Sequence, residues 1–251
     1  MSQTPRGSRI AFFGGSFDPP HLGHLAVARA ARAALGLDTV LFAPVGAQPL
    51  KPVGATAGFD DRVAMIRLAI AGEPGFQISF ADAPKPAGVP NYTLETLQNL
   101  KKELPANCTL YCLMGADSFV GLRRWHRAEE IPFVAPLIVA SRPGQPLEDL
   151  KALLPPGLRM EPATASEMAG VNVVGTNVEV RCYSLMSSTG NWAGQLTPFY
   201  LLPGLDVEIS ASQIREQARV QALATVRGRV AVHELLPDAV SDYMRSRGLY
   251  R

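Results

Sequence analysis

Two histidines three positions apart, His21 and His24, follow the glycine pair Gly14 and Gly15 in the segment GGSFDPPHLGH. Side chains at that spacing share one face at the start of a helix, so both imidazoles can meet one ligand. The glycines let the backbone turn tightly beside a phosphate, where a side chain would obstruct the approach or demand unfavourable backbone angles. A helix beginning at this point adds backbone N–H donors. The chemistry that suits such a set is phosphoryl-group transfer. The imidazoles donate hydrogen bonds to non-bridging oxygens as charge develops, and no covalent histidine intermediate is required. A core pair or a metal site is the alternative for two neighbouring histidines, and the glycine-rich flank weighs against it.

Further groups with chemical potential lie downstream. In ISASQIR, Ser210 and Ser212 can donate to phosphate oxygens, and the planar guanidinium of Arg215 can hold two oxygens at once. Ser212 is expected to cap a helix that begins near Gln213. In GADSF, Asp117 can accept from both hydroxyls of a sugar, or more simply cap a helix. Trp125 offers a flat ring, equally suited to packing, with Arg123, Arg124 and Arg127 beside it. Cys108, Cys112 and Cys182 are an odd number without metal-ligand spacing, which reads as free thiols.

These residues need a scaffold, and the hydrophobic pattern supplies one. Arg9 to Phe13 predicts a strand and Leu22 to Leu35 a helix. Thr39 to Pro44 predicts the next strand, Phe59 to Ile70 a helix and Phe76 to Phe80 a third strand. Thr93 to Leu100 is helical, Thr109 to Leu113 a strand, Ala116 onward a helix and Pro136 to Ala140 a compact apolar strand. Such alternation predicts a mostly parallel sheet covered by helices, with ligands at the strands' C-terminal ends. Strand order does not follow from the pattern. From Arg142 to Asp206 the pattern loosens: Gly144 to Pro162 reads as loop, with β-prone patches at Val171 to Tyr183 and Phe199 to Leu202. This stretch reads as an elaborated crossover, a small β subdomain or a surface excursion, and is expected to lie outside the chemical centre. The core is expected to resume near Ile209 and end on a helix from Asp238 to Arg245.

Composition narrows the class. The chain has 251 residues, enough for one α/β core, with 24 Lys and Arg against 22 Asp and Glu. A net charge of +2 supplies little general attraction for nucleic acid. Met1 to Arg9 is short and polar, unlike a secretory signal, and no uninterrupted apolar run is long enough to span a bilayer. The expectation is a soluble cytoplasmic protein without nucleic-acid or membrane partners, with self-association left open.

The segment HLGH, His21 to His24, is the HxGH signature of the nucleotidyltransferase superfamily, and GGSFDPPHLGH resembles bacterial nicotinate-nucleotide adenylyltransferases. That resemblance implies a Rossmann-like α/β fold of the HxGH nucleotidyltransferase type, one domain over residues 1–251. The 145–206 segment is an elaboration of that domain, and a helical portion spans 212–247. The implied reaction joins ATP and nicotinate mononucleotide into nicotinate adenine dinucleotide and pyrophosphate, with Mg²⁺ carried mainly on the ATP phosphates and no protein metal cage. His21, His24 and Arg215 are then catalytic. Gly14, Gly15, Ser16, Phe17, Lys51, Gly115, Asp117, Arg142, Ser210 and Ser212 serve the nucleotide. Asp117 takes its sugar hydroxyls, Lys51 is a loop phosphate ligand, and Arg142 lies in a post-strand SRPG turn. ISASQIR resembles the family's ISSTxIR, with Ala211 and Ser212 at the variant positions. NYTLETL resembles YTxDTL, with Glu95 for the aspartate; Tyr92 and Thr93 lie near the nicotinate carboxylate and Trp125 covers the pyridine ring. Adenylyltransferases acting on nicotinamide mononucleotide or phosphopantetheine, and a noncatalytic nucleotide sensor, are the alternatives.

Overall fold

The computed structural model describes residues 7–50, 54–141, 147–163, 178–205, 209–223 and 234–251. The strands are β1 (Arg9–Gly15), β2 (Thr39–Pro44), β3 (Phe76–Ile78), β4 (Thr109–Gly115), β5 (Leu137–Ala140), β6 (Leu158–Pro162), β7 (Arg181–Ser187) and β8 (Leu196–Leu202). The helices are α1 (Leu22–Leu35), α2 (Phe59–Ala69), α3 (Thr93–Glu103), α4 (Ala116–Gly121), α5 (Ile131–Val134), α6 (Leu147–Ala152), α7 (Ala211–Leu223) and α8 (Asp238–Arg247). All eight strands form one sheet in the order β3-β2-β1-β4-β5-β8-β7-β6. The pairs from β3 to β8 are parallel, whereas β7 runs antiparallel to both its neighbours. The topology is the expected Rossmann-like one.

Why the central strands are so apolar follows from the two cores. Alternate residues point to opposite faces, and helices cover both. Phe13, Phe42, Leu113 and Ile138 join the core under α1, α2 and α8, while Phe12, Cys112, Leu137 and Val139 join the core under α3 to α6. Helix α1 ends where Gly36 adopts φ 56°, ψ 47°, the left-handed conformation that suits a residue without a Cβ. Among the described residues no helix is long and apolar enough to cross a membrane.

The stretch after β5 departs most from expectation. Leu147–Ala152 is helix and Leu158–Pro162 strand where a loop was predicted, and residues 171–177 of the first β-prone patch lie outside the described residues. Strand β8 is no excursion: it pairs in parallel with β5 from Leu137↔Phe199 to Ala140↔Leu202 and takes the sixth position of the sheet. Its Pro198, which lacks an N–H, lies before that pairing begins and faces Ser184 of β7 only. The core therefore resumes at β8, before Ile209.

Candidate active site

The strand order reverses direction of growth between β1 and β4, and the crevice outside the C-terminal ends of strands at such a point is where open α/β sheets take ligands. A cleft of about 700 Å³ opens there. Its lining gathers Gly14, Gly15, Ser16, Phe17, His21, His24, Tyr92, Thr93, Gly115, Asp117, Trp125, Ser210, Ser212 and Arg215 from separate parts of the chain. Lys51 and Arg142 lie outside the described residues.

At the β1 end, the two glycines are there for close packing rather than backbone angle, since neither adopts a positive φ. A Cβ on Gly14 would come within 2.7 Å of the Phe12 ring, and one on Gly15 within 3.3 Å of the Phe17 ring. The left-handed residue of the turn is Phe17 itself, with φ 47°. Its ring is buried against Phe13 and Phe42 and lies 4.9 Å from the His24 ring, so it backs the histidine. Strain of this kind persists only where surrounding packing fixes it.

The His21 and His24 rings lie against each other, tilted by 32°, with centroids 3.7 Å apart. The His21 backbone N–H donates to His24 Nδ1 at 3.1 Å. A neutral imidazole carries one proton, so His24 keeps its proton on Nε2 and presents that N–H as a donor. Burial holds the His21 pKa down to about 4, and burial together with the neighbouring His21 holds His24 well below the usual histidine range. Both rings are neutral at pH 7. Nδ1 of His21 is buried without a hydrogen-bond partner among the described residues. The first turn of α1 is less generous with backbone donors than expected: Leu22 donates to Leu235 and His24 to the His21 carbonyl.

Arg215 reaches the same wall from α7. That helix is capped by Ser210, whose Oγ accepts from the Gln213 N–H while Gln213 Oε1 accepts from the Ser210 N–H, a reciprocal capping box. Ser212, the cap expected from sequence, lies inside the first turn, and its Oγ accepts from Arg215 Nη2 at 3.1 Å. Arg215 Nη1 donates to the Asp18 carbonyl at 2.7 Å.

At the other end of the cleft, Gly115 closes β4 and a Cβ there would enter open space, which leaves room for a ligand against the backbone. Asp117 is exposed in the first turn of α4, and Trp125 is half-buried. Tyr92 precedes α3, with its ring centroid 4.7 Å from that of His126. Asn91 fixes this start: its backbone and side chain exchange hydrogen bonds with Ala47, and its Nδ2 donates to the Ala83 carbonyl. Glu95 turns outward and pairs with Lys85 at 3.1 Å, leaving the helix start to the backbone.

Several cleft-forming residues escape sequence reasoning. Buried Arg62 donates to the carbonyls of Ser16, Val45 and Ala57 and ties three loops together. Gln48 Oε1 accepts from Ser16 Oγ at 3.2 Å. Asp82 lines the cleft, accepts from Thr96 Oγ1, and burial pushes its carboxyl pKa up. Asp18 is 4% exposed, inside the very motif that carries the histidines, so its position was available as a signal. Among the described residues no group of three His, Cys, Asp or Glu side chains is placed to hold a metal.

Residues 12–217 match the family model described as cytidylyltransferase-like. The chain is 34% identical over 244 residues to the Gloeobacter violaceus protein named "Probable nicotinate-nucleotide adenylyltransferase", covering 97% of each chain. It is 34% identical over 251 residues to the Roseiflexus protein of the same name, covering both in full. Among solved structures, the Plasmodium falciparum nicotinic acid mononucleotide adenylyltransferase complexed with NaAD superposes with a TM-score of 0.65, covers 97% of each chain and shares 15% identity. At that identity the likeness is one of fold.

Proposed function

We propose that this chain, which belongs to the nicotinate-nucleotide adenylyltransferase family, transfers the adenylyl group of ATP to nicotinate mononucleotide, forming nicotinate adenine dinucleotide and pyrophosphate. The observation that carries the reading is the neutral His21–His24 pair beside Arg215, in one cleft with Tyr92, Thr93 and Trp125. A phosphate oxygen of the mononucleotide attacks the α-phosphorus of ATP; the new P–O bond forms as the bond to the β-phosphate oxygen breaks, and the electron pair leaves on pyrophosphate. Catalysis is then positioning plus charge stabilisation. His24 Nε2–H serves a non-bridging oxygen of the transferred group, Arg215 serves the polyphosphate, and Asp117 takes the adenosine sugar. Because both imidazoles are neutral, they donate without adding charge that the bare pocket would have to solvate. Mg²⁺ carried mainly on the ATP phosphates would supply charge neutralisation for the departing pyrophosphate. The scattered placement of the cleft carboxylates Asp82 and Asp117 suits a metal held by substrate oxygens.

Acid selectivity follows from the start of α3. Tyr92 and Thr93 sit where orphan N–H groups of an 11-residue helix end on the cleft, and these favour a carboxylate over a carboxamide that must turn an NH₂ toward one of them. A mismatch of about 2 to 3 kcal/mol corresponds to tens to over a hundredfold in kcat/KM. Initial pyrophosphate release with nicotinate and nicotinamide mononucleotides at saturating Mg²⁺-ATP, with dinucleotides identified by mass, tests both points. Equal kcat/KM values, or an amide preference, reject the selectivity; absence of either dinucleotide rejects the reaction.

A further inference from the structure

Three distant parts of the chain converge on the buried Asp18. Its Oδ1 accepts from the Ala57 N–H at 2.9 Å and from the Tyr250 hydroxyl at 2.7 Å, and its Oδ2 from the Thr56 N–H at 2.6 Å. Arg215 stands at the edge of this set: Nη1 lies 3.8 Å from Oδ2, yet donates at 2.7 Å to the Asp18 backbone carbonyl. Tyr250 reaches the site from the turn after α8, where Gly248 and Tyr250 both adopt positive φ and bring the chain back to the cleft wall. The turn is held from a second side, since Tyr243 and Arg247 of α8 both bind Asp61 of α2.

A buried carboxylate beside a guanidinium ordinarily draws it into a short two-pronged pair. Here three neutral donors already occupy the carboxylate, and the ion pair stays long. A guanidinium has five N–H donors. Two bonds are used, to the Asp18 carbonyl and Ser212 Oγ, so the remaining donors stay available to a ligand in the cleft that Arg215 lines. We propose that Tyr250 and Asp18 are positioning residues for Arg215: the phenol O–H occupies Asp18 Oδ1 and thereby keeps the guanidinium turned to polyphosphate rather than collapsed onto the carboxylate. Burial pushes the Tyr250 phenol pKa up, so the hydroxyl remains a donor throughout the neutral range. The inference rests on the adenylyl-transfer reading for its rate effect, and on ATP binding alone for its geometry.

The test is a double-mutant cycle in the full chain, with Tyr250→Phe made in the parental protein and in Arg215→Ala. Tyr250→Phe keeps the ring and removes only the donor. We expect it to lower kcat about tenfold and weaken Mg²⁺-ATP binding several-fold with the mononucleotide KM unchanged, and to have no further effect in Arg215→Ala, a coupling within the range that contacting residues show. A purely structural role would lower the unfolding midpoint equally in both backgrounds and leave this nonadditivity absent. Parental kcat and ATP affinity in folded Tyr250→Phe, or equal losses in both backgrounds, overturn the proposal. If Tyr250→Phe does not fold, Asp18→Asn is carried through the same cycle: it removes the charge that would draw the guanidinium in and keeps the backbone carbonyl that Arg215 binds, so ATP affinity and kcat are expected to stay near parental, and a loss that disappears in Arg215→Ala overturns the proposal. Should the parental protein make no dinucleotide from nicotinate mononucleotide, the reaction assignment fails while the ATP-binding arm of the cycle still judges the positioning network.

Discussion

The two ends of the cleft are built differently. At the phosphate end His21 and Asp18 are buried, His24 and Arg215 are half-buried, and the groups are multiply held: His24 is packed by Phe17 and His21, Arg215 by Asp18 and Ser212, and Asp18 by three further donors. At the ring end Asp117 and His126 are exposed, Trp125 is half-buried, and recognition rests on the start of one helix and a few side-chain faces. The difference separates two tasks. Groups that meet growing charge must not reorganise during the reaction, so they are fixed beforehand; groups that choose a substrate need only discriminate between bound forms, which a few contacts achieve.

The largest effect expected from this contrast is at His24. Removing a preorganised donor costs on the order of 3 kcal/mol at the transition state, so His24→Ala should lower kcat by roughly a hundredfold or more while ATP affinity changes far less. Paired rate and binding measurements decide it; near-parental turnover with both substrates saturating would show that the phosphate end does not depend on this imidazole.

Smaller, and in a different parameter, is the effect of opening the ring end. Trp125→Ala should raise the mononucleotide KM about tenfold through lost ring contact, with kcat nearly unchanged. A larger loss in kcat than in KM would erase the division between the two ends.

A third effect concerns stability rather than rate. His21 has its pKa lowered to about 4 in the fold, against about 6.5 when unfolded, so between those values the unfolded chain binds more protons and stability rises with pH. The contribution is fully present above about pH 6.5 and is lost as pH falls toward 4; by pH 5 the loss from His21 alone is about 2 kcal/mol, and His24 acts in the same direction. Urea unfolding from pH 7.5 down to 5 should therefore show a steeper decline for the parental protein than for His21→Asn. Parallel declines would mean the pair is not buried as a neutral unit.

Legibility in the sequence followed the same division by range. The histidine spacing, the glycine pair and the β1-α1 start are consecutive, and α1 spans Leu22–Leu35, the range the pattern predicts. The start of α7 was misjudged by two residues because Ser210 and Ser212 are both good caps, and only the bond between Ser210 and Gln213 decides between them. The reason given for Gly14 and Gly15 also shifted, from backbone angle to the Phe12 and Phe17 rings beneath them, which no local pattern displays.

By itself, then, the sequence determined the alternating elements of the central sheet, because strands buried on both faces must be apolar throughout, and it brought the glycine pair, His21 and His24 together, because they lie within one turn and one helix start. Tertiary structure alone decided that β8 completes the parallel sheet beside β5, since pairing partners as distant in the chain as Leu137 and Phe199 leave no periodicity to read. It also decided that Asp18 and Tyr250 share a hydrogen bond. Neither residue is unusual for its neighbourhood, and the bond between them exists only where α8 packs on α2 and the following turn brings a phenol to a buried carboxylate.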